Sequence, residues 1–176
     1  MISVNLNDYI RKIPNFPQKG VLFYDITGIL TSPAAFHYCI DYMAEMYKDR
    51  NIEAIAGIEA RGFLFAAPFA YRMDIPLILI RKKGKLPGET LAKKYSLEYA
   101  NNEIEIQLQD VPLGKRVLLM DDLIATGGTL HASRELITLC GGTVPEIFGV
   151  VGLPFLNYEA KLSPTPINTL IEFESE

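Results

Sequence analysis

The chain has 176 residues and a mass of 19.7 kDa, the size of a single domain. At 49% hydrophobic and 22% charged residues, its composition is that of a globular domain and excludes disordered, collagen-like and low-complexity readings. A net charge of −4 and a pI near 5.3 argue against a dedicated nucleic-acid binder, which usually carries a basic excess.

No apolar run approaches the roughly 18 residues that a membrane span needs, so no membrane association is expected. Asn5, Asn7 and Asp8 interrupt any signal-like apolar stretch at the N-terminus. Cys39 and Cys140 are too few for a disulfide framework and lack a metal-type spacing. Both are expected to pack as small apolar side chains in a reducing, cytoplasmic setting.

In chain order, residues 3–13 read as a short amphipathic helix. Ser32-Pro33 then caps a second helix over 33–50, with Phe36, Ile40, Met43 and Tyr47 at helical spacing. An apolar strand at 54–58 leads into the turn Glu59-Ala60-Arg61-Gly62. A helix over 63–72 follows, with Pro68 expected to kink it and Phe63, Phe65 and Phe69 in the core. Residues 76–81 are apolar on both faces, as in the middle of a parallel sheet.

The 82–102 segment is long, polar and glycine-containing, which predicts a mobile arm or a hairpin. Residues 103–108 alternate strictly, with Ile104, Ile106 and Leu108 against Glu103, Glu105 and Gln107, so a half-exposed strand is expected there. A buried strand at 116–120 precedes Asp121 and Asp122. A helix opens at 125–129 and runs to about Cys140, with Gly141-Gly142 ending it. Strands at 146–153 and, at the edge, 168–173 complete the pattern. The fold class is α/β: one domain around a parallel sheet of about five strands flanked by helices.

Ligands of open α/β sheets bind at the carboxyl ends of strands. Residues 117–129, VLLMDDLIATGGT, place two adjacent carboxylates and a small-residue loop there. Ala125, Thr126, Gly127, Gly128 and Thr129 would offer backbone N–H groups, two hydroxyls and a helix N-terminus to an anion. A Cβ at Gly127 would intrude on that anion. Asp121 and Asp122 can hold two sugar hydroxyls or a hydrated magnesium ion. Neither a Walker lysine nor a dinucleotide fingerprint is present. A window from Arg81 to Lys94 holds six basic residues against Glu89, a charge of +5 that leaves −9 on the rest. It suits a small phosphorylated metabolite, or is a solvated basic loop. His37 reads as a surface or core-edge residue, and His131, early in the helix after the loop, as a solvated helix residue or a phosphate contact.

VLLMDDLIATGGT resembles the phosphoribosyl-pyrophosphate (PRPP) motif of type I phosphoribosyltransferases. FPQKGVLFYDIT (16–27), EARGFLF (59–65), IRKKGKLPGET (80–90) and YSLEY (95–99) resemble blocks of the adenine-using members, in order and with similar spacing. The resemblance implies the type I phosphoribosyltransferase fold, with a small N-terminal hood at about 1–32 and a mobile catalytic arm at about 86–102. It also implies transfer of a phosphoribosyl group from PRPP to adenine, giving AMP and pyrophosphate, with Mg2+ as cofactor and a homodimer as the assembly.

Carried over by motif, Ala125, Thr126, Gly127, Gly128 and Thr129 would hold the 5-phosphate. Asp121 and Asp122 would serve the ribose hydroxyls and, through water and PRPP, the metal. Arg61, Arg81, Lys82 and Lys85 would meet pyrophosphate. Leu22, Phe23, Tyr24, Leu123 and Leu153 would enclose adenine, with Phe23 stacking on it, and the arm would bring Glu98 and Tyr99. Many relatives have arginine where Tyr24 stands, so Tyr24→Arg is expected to change turnover only modestly. Another purine base, or a non-catalytic PRPP-binding regulator, are the alternatives. The regulator would need a DNA-binding module, and no helix-turn-helix pattern is seen here.

Overall fold

The computed structural model describes residues 4–97, 100–111 and 113–175. The chain enters through a one-turn 3-10 helix, Leu6–Tyr9, capped by the Asn5 side chain on the Asn7 N–H. It then forms β1 (Arg11–Pro14), antiparallel to β2 (Leu22–Asp25). The amphipathic helix expected over 3–13 is therefore only a turn followed by a strand. Pro14 pushes the residue before it into an extended conformation, and pairing with β2 extends the rest.

A four-residue helix, α1 (Thr27–Leu30), leads to α2 (Pro33–Tyr47). The Ser32 hydroxyl accepts the Ala35 N–H at 3.3 Å and Pro33 occupies the first turn, as the sequence predicts. The helix ends three residues earlier than expected. Next come β3 (Ala54–Ile58), α3 (Gly62–Met73), β4 (Leu77–Lys82), β5 (Thr90–Leu97) and β6 (Ala100–Gln107). The remaining elements are β7 (Val117–Ile124), α4 (Gly128–Leu139), β8 (Ile147–Gly152), α5 (Tyr158–Leu162) and β9 (Ile167–Glu172).

Among the described residues, seven strands form one sheet in the order β5-β6-β4-β3-β7-β8-β9. From β4 to β9 the five neighbours run parallel, and β5–β6 is an antiparallel hairpin added to the β4 edge. The expected parallel five are thus extended by the arm. β4 is apolar on both faces, as expected, but fully buried on one: Ile78 and Ile80 are buried, whereas Leu77 and Leu79 are half-buried.

Strand alternation divides the core between two layers. Ile55, Leu118, Met120 and Phe148 face α2 and α3, where Cys39, Met43, Phe65 and Phe69 pack; Phe63 is only half-buried. Ala54, Ala56, Val117, Leu119 and Ile147 face α4, where Leu130, Leu136 and Ile137 pack. The α4 C-terminus closes with Gly141 at φ +91°. Its N–H bonds to the Thr138 carbonyl and that of Gly142 to Ile137, the paired arrangement of a glycine stop.

Candidate active site

β7 runs through the middle of the sheet, and its carboxyl half carries Asp121 and Asp122. The sequence reading ended this strand at 120. Pairing with β8 continues it, through Leu123↔Val151 and Ile124↔Gly152, so both acids are held within the strand. The Asp122 N–H donates to Asp121 Oδ1 at 2.9 Å. Gly62, the first residue of α3, makes this close packing possible: a Cβ there would lie 2.8 Å from Asp121 Oδ1.

Asp122 is buried, at 5% exposure, and its Oδ2 lies 2.8 Å from Arg61 Nε. That contact is electrostatic, since this buried oxygen has no well-aligned hydrogen bond. Burial raises the Asp121 carboxyl well above the ordinary range, and the neighbouring Asp122 charge raises it further. Burial also raises Asp122, although the Arg61 charge opposes the shift. Two adjacent buried carboxyls disfavour being ionised together.

The segment after β7 wraps a cavity of about 180 Å³. Asp121, Leu123 and Ala125, Thr126, Gly127, Gly128 and Thr129 line it, together with Ile124 and Leu130. Gly127, at φ +73°, is the N-cap of α4, so the loop delivers first-turn N–H groups toward the cavity. A Cβ at Gly127 would meet Leu162 and Tyr158 at 3.2 Å rather than point at the cavity. The glycine is required by backbone conformation and by packing beneath the loop, which corrects the reason drawn from sequence.

A second cavity, of about 220 Å³, borders the first at Thr129 and includes Glu59, Arg81, Lys82, Tyr95 and Asn102. Glu59 takes two bonds from the Arg81 guanidinium, at 3.2 and 3.1 Å, and one from the Lys82 N–H at 3.0 Å. The bonds from Arg81 lead in holding the Glu59 carboxyl below its ordinary value, against the opposing effect of desolvation. The Glu59–Ala60 peptide is cis, in the turn singled out for pyrophosphate. Lys82 and Lys85 extend exposed side chains from the same region.

Leu22 and Tyr24 of the hood pack with Leu123 of β7 and Leu153, just after β8, in one apolar cluster. Phe23 stands apart: it meets Phe16 edge-on at 5.0 Å, and the Arg61 guanidinium lies 5.4 Å from its ring centroid. Tyr24 is not a surface position. Its ring is 1% exposed, stacks near Phe173 at 4.6 Å, and its hydroxyl donates to the Ser175 carbonyl at 3.0 Å. Tyr24→Arg would bury a guanidinium, so a loss of stability is expected besides any modest effect on turnover. Glu98 and Tyr99, expected on the arm, lie outside the described residues.

Three polar groups escaped the sequence reading. Glu59 pairs with the Arg81 guanidinium 22 positions on, which adjacent strand ends permit but no local pattern signals. Tyr95 receives the Thr129 hydroxyl at 3.2 Å, linking hairpin to loop. Glu105 lies on the face of β6 that alternation assigns to solvent, yet it is 1% exposed.

Residues 25–150 match the phosphoribosyl transferase domain family. The adenine phosphoribosyltransferase of Treponema denticola is 61% identical over 167 residues, covering 95% of this chain and 88% of its own. The solved adenine phosphoribosyltransferase of Thermoanaerobacter pseudethanolicus superposes with a TM-score of 0.92 at 45% identity, over 96% of this chain and 98% of that one. The Saccharomyces cerevisiae enzyme, solved with an imino-altritol bisphosphate and adenine, gives a TM-score of 0.88 at 37% identity, over 94% and 96%. A carboxylate pair against a glycine-opened helix, in this sheet order and with these relatives, leads to one conclusion: the chain belongs to the type I phosphoribosyltransferases, in the adenine phosphoribosyltransferase family.

Proposed function

We infer that the protein transfers the 5-phosphoribosyl group of PRPP to adenine, releasing pyrophosphate and forming AMP, a purine-salvage step. One observation carries this reading: Asp121 and the 125–129 cradle line one cavity, with Asp122 beside it held to Arg61, and a cationic turn borders the cavity through Thr129. A ribose with phosphates at both ends needs anion sites on two sides of a hydroxyl-binding centre. We assign the 5-phosphate to Ala125, Thr126, Gly127, Gly128 and Thr129, and the ribose hydroxyls to Asp121 and Asp122. Pyrophosphate falls to Arg61, Arg81, Lys82 and Lys85. Leu22, Phe23, Tyr24, Leu123 and Leu153 form the adenine side, Tyr24 through its main chain. Glu98 and Tyr99 are assigned to the arm at 86–102, which closes over the substrates.

The reaction forms a bond between ribose C1 and the adenine nitrogen as the bond from C1 to pyrophosphate oxygen breaks. Negative charge builds on the departing pyrophosphate, and fixed cations beside it lower the barrier. Positive charge builds on the sugar, and the paired carboxylates beneath its hydroxyls favour it. The closing arm keeps water from the reactive sugar.

Magnesium suits this donor set. Asp122 Oδ2 is buried without an aligned hydrogen bond, and no cluster of three or more metal-ligating groups occurs among the described residues. A divalent ion held by one or two carboxylates, water and substrate oxygens matches that arrangement. Bound there, it would supply charge neutralisation of the pyrophosphate, with Asp121 and Asp122 holding it through water and PRPP.

Among the described residues no helix is long and apolar enough to cross a membrane. The setting we assign is cytoplasmic. The assembly we assign is a homodimer of single-domain chains. Incubation with PRPP, magnesium and each purine base tests the function: adenine alone should give abundant nucleotide. Equal use of hypoxanthine or guanine would overturn it.

A further inference from the structure

The carboxylate of Glu105 plays no part in the chemistry assigned above, yet it is one of the few buried charges in the molecule. It sits in mid-β6, opposite Arg81 of β4 and Ala92 of β5. Its Oε1 accepts the backbone N–H groups of Lys85 and Leu86, both at 2.9 Å. Its Oε2 accepts the Thr90 hydroxyl at 3.1 Å and lies 3.4 Å from the Lys83 ammonium. These contacts reach Lys83, Lys85 and Leu86 in the turn between β4 and β5, and Thr90 where β5 begins.

Glu59 holds the other end of this turn through Arg81 and the Lys82 N–H. Arg81 Nη1 in turn donates to the Lys85 carbonyl at 2.9 Å. The Lys85 peptide is thus gripped on both sides, its N–H by Glu105 and its carbonyl by Arg81. The two acids take main-chain N–H groups from Lys82 and Lys85, while the ammonium ends of both lysines extend into solvent. Lys83, which carries no assigned ligand role, is the lysine whose ammonium Glu105 engages.

A buried acid is a weak source of stability, because apolar groups of similar volume often serve as well. Fixed direction is what such an acid provides. We propose that Glu105 is a positioning residue: it sets the backbone of the 82–86 turn so that the Lys82 and Lys85 ammonium groups face pyrophosphate, without touching substrate itself. The proposal rests on the assignment of these lysines to pyrophosphate.

Steady-state kinetics in both directions test it. Glu105→Leu should raise KM for PRPP, and for pyrophosphate in the reverse reaction, tenfold or more. KM for adenine should stay within twofold. Glu105→Gln keeps an acceptor for the two N–H groups and should restore KM for PRPP to within threefold of wild type. Adding Glu105→Leu to a Lys82→Ala, Lys85→Ala double variant should raise KM for PRPP no further, since the lysines it orients are gone.

Unchanged KM for PRPP in Glu105→Leu, or an equal rise for adenine, would overturn the proposal. If the lysine double variant itself binds PRPP normally, the pyrophosphate assignment fails. If that variant is impaired and Glu105→Leu is not, the positioning role alone fails. Should Glu105→Leu not fold, Thr90→Val decides: removing one donor to the same carboxylate should raise KM for PRPP at least threefold, and no rise would refute the role.

Discussion

Asp121 combines burial, a like-charged neighbour and a glycine pressed against its oxygen. Its folded pKa lies above the ordinary 3.8, so the folded state holds more protons than the unfolded chain between those two values. Stability must therefore fall as pH rises through that window and stay at the lower level above it. Asp121→Asn should raise the melting temperature at pH 7, with the gain shrinking toward pH 4, and should lower turnover at least tenfold. Melting scans across that range with parallel assays check both, and a variant less stable than wild type at pH 7 would contradict the account. Gly62→Ala should act on the same carboxylate from the other side and lower turnover by about tenfold, because a Cβ at 2.8 Å must displace it. The acid pair was legible in sequence because two adjacent carboxylates after an apolar strand are rare. Glu105 was not: alternation reports a strand's two faces but not what covers the polar one. Here the β4–β5 turn folds over it.

Among the elements, the strand at 54–58 was legible to the residue and α2 at its capped start, whereas the helical pattern over 3–13 was overridden by pairing with β2. What escaped was pairing. Nothing local in Leu123 and Ile124 says that β7 continues past two acids; the partner strand β8 decides that. The hairpin was expected from length and composition, but its place beside β4 depends on an antiparallel register with no local signal. The same contacts refine where the arm should be cut. Lys93 lies 3.3 Å from Glu135 of α4, whereas Lys94 is exposed. Limited trypsin digestion of the empty enzyme should favour Lys94 over Lys93, and PRPP with adenine should suppress the cut; equal cleavage with and without ligands would argue against closure. In the phosphate loop, Gly127→Val forces a branched side chain to φ +73° above Leu162 and Tyr158. It should cost about 1–3 kcal/mol of stability and weaken PRPP binding in calorimetry, and unchanged affinity would exclude the cradle.

For the whole molecule, base choice depends on how the hood meets the sheet. In the site proposed above, main-chain groups on the edge of β2 away from β1 would read the amine and ring nitrogen of adenine, whatever side chains the hood carries. A carbonyl facing an exocyclic amine leaves an oxo base with two acceptors opposed. Preference for adenine of a hundredfold or more is expected, about 3 kcal/mol, measured as the ratio of kcat/KM for adenine over hypoxanthine. Side chains in the hood matter for its seating instead. Tyr24→Arg would bury a charge beside Phe173 and should lower stability by roughly 3 kcal/mol, about 6–12 °C in melting temperature. Sequence could not reveal this, since the partners of Tyr24 lie some 150 positions away.

That long reach has a practical side. The Ser175 carbonyl and the Phe173 ring act as a strut beneath the hood, and Lys12 of β1 lies 4.7 Å from the Phe173 centroid. An affinity handle fused directly after this strut would pull on the wall of the proposed base site, whereas one ahead of residue 4 would pull on a short turn that Leu6 and Ile10 anchor in the core. Crystallisation screens and immobilised assays should therefore carry the handle at the front of the chain. Enzyme tethered by its tail should lose affinity for adenine before it loses affinity for PRPP.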